Sequence, residues 1–567
     1  MIQSRGARMH RWPRVLALAL LLAFGLHVPG SIGGVAPAQG AGSKIAPALQ
    51  QRMLAEPLRM LPIIVEMEYP QSPFVVRPNV RRAQEALDLL RLYGRPVAGL
   101  PLIDGAAGFA NAAGITTLSL LPGVAFVHED ATVRPRRGPP PAWSAGALAA
   151  AYPPAVGADR AWAEGSTGRG VTVAVLDSGI AADGDLVQPS NRLLAAVNFA
   201  DSRGTQADPG GHGTHVAGIV AGNGTRSAGQ YVGIAPEANV VDVRVLNDHG
   251  NGRVSSVVRG IGWVLAHRAQ YNIRVLNLSF GAPSQGSYRG DPLSAAVEIA
   301  WRRGLVVVAA AGNNGPSGGT VETPGIDPYV ITVGATDDQG SFSTADDRLA
   351  WFSAWGTPPD SAPKPDLVAP GRRIVSLRAP GSYLDRLYPD RVVAATGGAT
   401  YFRLTGTSMA TPVVAGAVAL LLQRQPGLTP DQVKALLTGT ARTYGSSDAG
   451  AADGRGLLDA RAALHSTPSA ANRGIRPANG LARALYPALY GQPLVWRDPL
   501  SGGTNWLTQT WATLTWNDAA WDNLAWDAFA WDDAAWDDAA WDDAAWDDAA
   551  WDDAAWDDAA WDDAAWD

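Results

Sequence analysis

The chain has 567 residues, enough for more than one domain, and 47% of them are hydrophobic, enough for a large core. It contains no cysteine, which excludes disulfide bonds and cysteine-based metal sites. The net charge of −8 is unevenly distributed along the chain. Residues 501–567 contain 18 Asp and no Lys, Arg or Glu. The first 500 residues contain 45 basic and 35 acidic residues, which gives them a net charge of +10.

The first 38 residues have the pattern of a secretory signal peptide. Four arginines precede an apolar run over residues 15–26, and Ala36-Pro37-Ala38 supplies small residues for cleavage. The apolar run is short for a membrane span, which favours a cleaved signal over an anchor helix. We therefore expect residues 1–38 to be removed and the protein to be secreted, either extracellular or associated with the cell surface.

Residues 40–137 predict a small α+β unit. Strands are indicated at 62–67 and 124–128, and helices at 82–93 and 115–121. Composition alone shows only a small domain, so an unrelated N-terminal module stays open as an alternative. The stretch from Arg134 to Pro141 is basic and proline-rich, and residues 138–150 are assigned to a linker. Such a segment is accessible to proteases, so we expect a maturation cut between residues 134 and 150.

Residues 151–465 alternate apolar strands with helices. Runs typical of buried strands occur at 171–176, 240–245, 273–280, 305–310 and 329–333. Helical stretches lie between them, for example at 254–267 and 292–302. This alternation predicts an α/β fold with a parallel sheet. Asp177 and Asn313 follow the carboxyl ends of two strands, where such sheets bind their ligands.

Ser408 stands among small residues just before an apolar helix that is rich in alanine and glycine, over residues 413–422. Pro412 fits the first turn of that helix, where an N–H is not needed. A helix N-terminus favours developing negative charge, as a nucleophilic serine in acyl transfer requires. Taken alone, the stretch fits an ordinary Ser/Thr helix cap equally well.

A nucleophilic serine needs a base and an acid that orients the base. Upstream of it lie Asp177 and His212, and an imidazole can act as the base near neutral pH. Two alternatives have less support. His212 and His215 lack a third ligand for a metal site, and Asp177-Ser178-Gly179 lacks the second carboxylate motif of an aspartic protease.

These three stretches, in the order acid, histidine, serine, resemble the subtilisin-like serine proteases (subtilases) over roughly residues 150–465. The resemblance implies a subtilisin-like parallel sheet flanked by helices over 151–465, preceded by a small ferredoxin-like α+β propeptide and followed by a low-complexity tail. It implies a serine endopeptidase that forms an acyl-enzyme, with Asp177, His212 and Ser408 as the triad, Asn313 as the oxyanion donor and His215 as a structural residue. It further implies that residues 40–137 inhibit the cleft and are removed by self-processing.

The same resemblance suggests the residues that bind substrate. The segments Ser279-Phe280-Gly281, which follows Leu278, and Ala310-Ala311-Gly312 resemble the walls of the specificity pocket. Gly250, Asn251 and Gly252 resemble the edge that pairs with an extended peptide, since glycine allows close backbone approach. The pocket floor could include loop 320–324, in which Glu322 would favour a basic side chain.

Two further expectations concern insertions and metals. Stretches 336–363 and 371–406 are long and irregular in sequence, and we expect them to be surface insertions. The chemistry requires no cofactor. The resemblance allows structural calcium, but the metal ligands are unknown from this sequence.

The C-terminal part consists of a linker over 466–500 and a repeat over 501–567. Trp recurs every five residues from Trp506 to Trp566, and the unit settles to Trp-Asp-Asp-Ala-Ala. A period of five matches neither a helix nor a strand, and adjacent aspartates repel, so a solvated acidic tail and an ordered repeat both stay open. Expected partners are polypeptide substrates, the propeptide as inhibitor and a cell-surface component through the tail, with no nucleic acid. The alternative function is a catalytically silent surface-binding protein that acts through this tail.

Overall fold

The computed structural model describes residues 44–68, 79–133, 150–200, 207–284, 286–445, 450–473, 475, 477 and 478. The predicted signal peptide, the maturation region between 134 and 149 and the tryptophan repeat lie outside the described residues.

Residues 44–133, the N-terminal unit, fold around a four-stranded antiparallel sheet in the order β2-β3-β1-β4. Its strands are β1 (Leu61–Met67), β2 (Arg95–Leu100), β3 (Gly105–Ala110) and β4 (Val124–Glu129), and the two-residue strand β5 (Thr132–Val133) follows. Its helices are α1 (Pro47–Ala55), α2 (Val80–Tyr93) and α3 (Ala112–Leu120). The sequence predicts β1, β4, α2 and α3 to within three residues at each end. It does not predict α1, β2 or β3, because these segments lack the apolar periodicity on which such predictions rest.

The central strand β1 shows how this small sheet is used on both faces. Ile63 and Val65 point into the core of the N-terminal unit, while Ile64 belongs to the core of the large domain. Successive strand residues face opposite sides, so the sheet is covered by its own helices on one face and by the large domain on the other.

The large domain, residues 150–478, alternates strands and helices as the sequence predicts. Its helices are α4 (Tyr152–Ala155), α5 (Ala158–Ala163), α6 (Gly184–Val187), α7 (His212–Ala221), α8 (Val254–His267), α9 (Pro292–Arg302), α10 (Tyr383–Leu387), α11 (Thr407–Arg424), α12 (Pro430–Thr440) and α13 (Ala460–Leu464). Its strands are β6 (Thr172–Asp177), β7 (Leu193–Asn198), β8 (Asn239–Arg244), β9 (Gly252–Arg253), β10 (Ile273–Leu278), β11 (Val306–Ala310), β12 (Ile331–Asp337), β13 (Arg348–Leu349), β14 (Leu367–Pro370), β15 (Ile374–Leu377), β16 (Val392–Ala394) and β17 (Thr400–Leu404). Short 3-10 helices of this domain occupy Thr225–Ser227, Tyr288–Gly290, Pro389–Arg391, Thr396–Gly398 and Gly450–Asp453, and one in the N-terminal unit occupies Pro101–Ile103.

The central sheet is mainly parallel. Its strands run in the order β13-β12-β11-β10-β6-β8-β7, and β14 also pairs with β12. Every pairing is parallel except the one between β12 and β13. Strand β6 is buried along its whole length, as its apolar β-branched sequence predicts for a strand in the middle of such a sheet. The predicted mixed α/β fold with a parallel sheet is confirmed.

Stretch 371–406 differs from the expectation of an irregular surface insertion. It forms a three-stranded antiparallel sheet in the order β15-β17-β16, and helix α10 lies between β15 and β16. The sheet packs on α7, since a Cβ atom added to Gly218 would lie only 2.3 Å from the hydroxyl of Ser376. The expectation was wrong because charged and glycine-rich turns interrupt strands of only three to five residues, too short to show a period.

The segment assigned to a linker begins as part of the large domain. The Ala471 N–H donates to the Asp431 carbonyl at 3.1 Å, and the buried N–H of Ala478 donates to the carboxylate of Glu298. The described residues 466–478 therefore pack against the folded core. Within the described part of the chain, no helix is both long enough and apolar enough to span a membrane.

Candidate active site

Asp177 and His212 form a buried acid–imidazole pair. Asp177 is the last residue of β6 and His212 is the first residue of α7. The carboxylate oxygens of Asp177 lie 2.8 and 2.9 Å from Nδ1 of His212, and both side chains are buried. The Asp177 carboxylate also accepts the N–H of Ser178 at 2.8 Å. Because Nδ1 faces a carboxylate, the ring is assigned the tautomer that carries its proton there and leaves Nε2 as an acceptor.

Gly213 allows the histidine helix to approach the acid so closely. A Cβ atom at this position would lie 2.2 Å from the carbonyl oxygen of Gly179 and 3.0 Å from Cβ of Asp177. A larger residue would push the start of α7 away from the turn that follows β6. Glycine at this place in the Gly-His-Gly-Thr-His motif is therefore a requirement of the acid–imidazole contact.

Asp208 ties these two elements together. Its carboxylate accepts the Ser178 hydroxyl at 2.8 Å, and it accepts the backbone N–H groups of Gly211 at 2.7 Å and Thr214 at 2.8 Å. The Ser178 hydroxyl in turn accepts the N–H of Gly213 at 3.0 Å. One buried carboxylate thus fixes both the residue after the acid and the first turn of the histidine helix. Burial raises the pKa of Asp208, against the lowering effect of these hydrogen bonds.

Asn313 contacts the start of α11, the helix that carries Ser408. Ser408 is the second residue of this 18-residue helix and is fully buried. Asn313 lies beyond the end of β11, and its Oδ1 accepts both the N–H and the hydroxyl of Thr407 at 2.9 Å. Pro412 is the sixth residue of α11, beyond the first turn in which it was expected, and it removes the N–H that would otherwise bond the carbonyl of Ser408.

Three polar atoms of these residues are buried and have no hydrogen-bond partner among the described residues: Nε2 of His212, Oγ of Ser408 and Nδ2 of Asn313. The imidazole and the serine hydroxyl therefore do not bond each other here, although the sequence interpretation needs them to do so during catalysis. Helices α7 and α11, which carry them, pack together. Hydrogen bonds of this kind are often long or poorly aligned without substrate and tighten when it binds.

His215 has a different environment from His212. Its Nε2 lies 3.2 Å from the carbonyl of Ile374 and 3.0 Å from that of Phe402, so it donates to the sheet that packs on α7. Burial, and then the neighbouring His212, lower the pKa of His215 to about 3. The side chain is neutral and structural. Across the residues described, no three His, Asp or Glu side chains converge closely enough to hold a metal ion.

One of the two predicted pocket walls adjoins Asn313 and Thr407. Gly312 precedes Asn313, and its N–H donates to the Thr407 hydroxyl at 3.3 Å. Ala310 ends β11, and the N–H of Ala311 donates to Val333. On the other wall Ser279, Phe280 and Gly281 are all buried.

The predicted peptide-binding edge is already paired. Gly252 and Arg253 form β9, which runs antiparallel to β5 with Val133 opposite Gly252 and Thr132 opposite Arg253. The preceding Asn251 is held in a tight turn, where it exchanges hydrogen bonds with Asn247. The last strand of the N-terminal unit thus adds to the edge that the sequence assigns to substrate, while Gly250 lies within the turn.

Sequence reasoning missed three supporting residues. Asp208 and Thr407 act through contacts across the fold, so no local pattern reveals them. Asp130 lies near the end of the N-terminal unit, and its carboxylate accepts the N–H of Ser255 at 2.9 Å and the Ser255 hydroxyl at 2.6 Å. It therefore caps α8, which lacks a side-chain cap of its own.

The large domain thus holds a buried carboxylate–imidazole pair, and the helix that begins with the imidazole packs on the helix that carries the buried Ser408. Sequence comparison identifies the family. The chain belongs to the subtilase family, whose model matches residues 168–460. It is 45% identical over 280 residues to serine protease AprX of Bacillus subtilis (strain 168). The aligned region covers 48% of this chain and 61% of AprX. It is 35% identical over 315 residues to subtilisin DY of Bacillus licheniformis, which covers 55% of this chain and 96% of that protein.

A third relative, subtilisin Savinase of Lederbergia lenta, is 37% identical over 299 residues, which cover 53% of this chain and 92% of that protein. The match therefore extends over almost the whole of these two subtilisins but over less than two thirds of AprX. The enzyme class is that of the serine-type endopeptidases. The matched part is the large domain, and the N-terminal unit lies before the region of the family model.

Proposed function

We propose that the chain is a secreted serine endopeptidase, made as a proenzyme that processes itself, with Ser408 as the nucleophile. The observation that carries this proposal is the set of three buried polar atoms without partners, on His212, Ser408 and Asn313. Most buried polar atoms have partners, and three of those that have none in the described part of the chain lie on the three residues to which the sequence assigns the chemistry. They are the three atoms that would act on a peptide carbonyl.

The proposed reaction uses each of these atoms once in acylation. The Ser408 hydroxyl bonds to the carbonyl carbon while its proton passes to Nε2 of His212. Asp177, bound to Nδ1, holds the required tautomer and stabilises the imidazolium. Nδ2 of Asn313 and the N–H of Ser408 donate to the carbonyl oxygen as it becomes negative. The imidazolium protonates the leaving amine, and water then attacks the acyl-enzyme by the same route.

In this proposal the N-terminal unit is the inhibitory propeptide. Its strand β5 pairs with the edge at Gly252–Arg253, where an extended substrate would add as a strand. Asp130 caps α8, the helix that follows this edge directly. Residues such as Ile64 and Leu100 join the core of the large domain, so the unit covers apolar surface as well as the edge. A substrate could bind there only after β5 leaves.

Replacing the proposed nucleophile tests the mechanism. Full-length Ser408→Ala should lose peptidase activity, stop reacting with a fluorophosphonate probe and keep its N-terminal unit attached. Ser466→Ala is a matched control, because that hydroxyl only donates to the carbonyl of Ala462. Normal removal of the N-terminal unit from the Ser408→Ala protein, expressed in a protease-deficient host, would contradict self-processing.

The proposal also covers both ends of the chain and the metal. The signal-like residues 1–38 favour secretion, and the aspartate-rich repeat over 501–567 favours attachment to a cell-surface component. Deleting 501–567 should release the enzyme from the cell fraction into the medium, and unchanged retention would count against attachment. Structural calcium is proposed without ligands, and no step of the reaction depends on it.

A further inference from the structure

A carboxyl group lies in the middle of the buried strand β8. Its neighbours Val241 and Val243 are fully buried, and Asp242 itself is 3% exposed. Oδ2 of Asp242 accepts the N–H of Ile180 at 3.0 Å, and Oδ1 is buried without a hydrogen-bond partner in the described part of the chain. Burying a carboxyl group with a single hydrogen bond is unfavourable, so the packing of the strand does not account for an aspartate here.

Asp242 lies on the same face of the sheet as the proposed catalytic acid, Asp177. In the parallel pairing of β6 with β8, Val175 lies opposite Asp242. Asp177 follows Val175 by two residues, and residues two apart in a strand share a face. Helix α8 covers the other face, since a Cβ atom at Gly260 would lie 3.0 Å from Cγ1 of Val243. Asp242 therefore points to the side on which the acid–imidazole pair lies.

Strand β8 and the two residues after it hold both ends of the turn that follows Asp177. At the start of this turn, the backbone carbonyl of Asp177 accepts the N–H groups of Val245 at 2.8 Å and Leu246 at 3.1 Å. Three residues further along the chain, the turn is held by the bond from the Ile180 N–H to Asp242. Without that bond, the second end of the turn would lose its side-chain contact with the strand.

Between these two points, Ser178 and Gly179 contact the start of α7. The Ser178 hydroxyl accepts the Gly213 N–H at 3.0 Å, and a Cβ atom at Gly213 would lie 2.2 Å from the carbonyl oxygen of Gly179. Contacts as close as these transmit a displacement from one element to the other. A shifted turn would therefore move the first turn of α7, which begins with His212, relative to Asp177.

We propose, on the basis of the peptidase function above, that Asp242 is a positioning residue for the acid–imidazole pair. Through Ile180 it keeps the turn in the place where Asp177 contacts Nδ1 of His212. Burial raises the pKa of Asp242 well above that of an ordinary aspartate, against the lowering effect of the bond from Ile180, and the negative charge of Asp208 raises it further. A neutral carboxyl group can still accept the Ile180 N–H, so the hydrogen bond and not the charge is what acts.

The kinetic test removes the acceptor and keeps the shape. Asp242→Val, a residue of similar size without an acceptor, should lower kcat per titrated active site on the order of tenfold and leave KM within about threefold. Asp242→Asn keeps an oxygen for the Ile180 N–H and should hold kcat within about twofold of the wild-type value. The matched control is Asp338→Val, which should leave kcat and KM unchanged. Asp338 is also buried and accepts a backbone N–H, that of Gly340 at 2.9 Å, but it follows β12, which is three strands away from β6 in the sheet.

A second measurement reports the contact between Asp177 and His212 without catalysis. A proton held between Nδ1 of an imidazole and a carboxylate gives a separate, strongly deshielded signal in the 1H NMR spectrum. In full-length protein that carries Ser408→Ala, this signal is assigned by its absence from Asp177→Ala. It should move upfield in Asp242→Val and keep its position in Asp242→Asn. Asp242→Ala, which also lacks an acceptor, replaces the valine variant if that protein does not fold.

The outcomes separate this inference from the proposed function. A wild-type kcat, an unchanged NMR signal or a rise in KM alone in Asp242→Val overturns this inference alone. So does a loss of kcat in Asp242→Asn as large as that in Asp242→Val, because the charge and not the hydrogen bond would then be what acts. A wild-type chain that neither reacts with a fluorophosphonate probe nor cleaves peptides overturns the proposed function together with this inference.

Discussion

Removing the Asn313 amide would test the proposed oxyanion site most directly. Oδ1 of Asn313 accepts two hydrogen bonds from Thr407, so the amide is oriented and Nδ2 is left without a partner. Asn313→Ala removes one donor to the developing oxyanion, which corresponds to about 3 kcal/mol of transition-state stabilisation. We therefore expect kcat to fall on the order of 10²-fold. KM should change little, because the donor acts mainly in the transition state.

The same substitution also deprives Thr407 of its acceptor, which by itself would destabilise the start of α11 by about 1–3 kcal/mol. Asn313→Asp separates the two effects, because it keeps an oxygen for Thr407 while replacing the donor. The kinetic assay measures kcat and KM on one peptide substrate, with the concentration of active enzyme determined by active-site titration. The free energy of unfolding is measured separately, with each Asn313 variant combined with Ser408→Ala. Asn223→Ala, which loses a bond to the Gln188 carbonyl and the acceptor of the Thr225 N–H, is the control. A fall in kcat of less than threefold, or a rise in KM with kcat unchanged, would refute the role of Asn313.

Two further predictions concern the supporting residues. Asp130→Ala in the Ser408→Ala protein should lower the free energy of unfolding by about 1–2 kcal/mol, because α8 loses the cap at Ser255; an unchanged denaturation midpoint would contradict this. Burial lowers the pKa of His215 in the folded chain to about 3. Below pH 6.5 the imidazole is protonated in the unfolded chain but stays neutral in the folded chain. The free energy of unfolding therefore falls by up to about 1.4 kcal/mol for each unit by which the pH is lowered. His215→Gln, which can still donate to the carbonyls of Ile374 and Phe402, should flatten the decline of Tm between pH 6.5 and 4, whereas parallel curves would argue against the assignment.

The sequence predicts those helices and strands whose residue types indicate how each element is buried. Strand β6 is a run of apolar, β-branched residues, and its boundaries are found to within one residue. Strand β3 consists of Gly, Ala and Phe only, which gives no strand signal, and its place in the sheet comes from pairing with β1 and β2. Local composition is sufficient to predict a strand such as β6, whose burial requires apolar, β-branched residues. It is insufficient for a strand such as β3, whose conformation is imposed by the neighbouring strands.

The candidate site divides in the same way. Asp177 and His212 stand in local motifs, and the structure brings them together at 2.8 Å. Asp208 precedes the histidine motif by only a few residues, yet its role depends on Ser178, which is 30 residues earlier in the chain. A relation of this kind exists only after the strand and the helix have packed. Residues that hold other residues in place are therefore the part of a site that a single sequence conceals.

The pairing of Thr132–Val133 with Gly252–Arg253 has a consequence for how such an enzyme would be switched on. While both strands belong to one polypeptide, the local concentration of the covering strand is set by the chain that joins them, so diluting the protein cannot expose the edge. Once that connection is cut, re-association becomes a bimolecular event, and its extent falls as the molecules disperse. Activation would then depend on the concentration of the cleaved protein, because dilution favours dissociation of the covering strand.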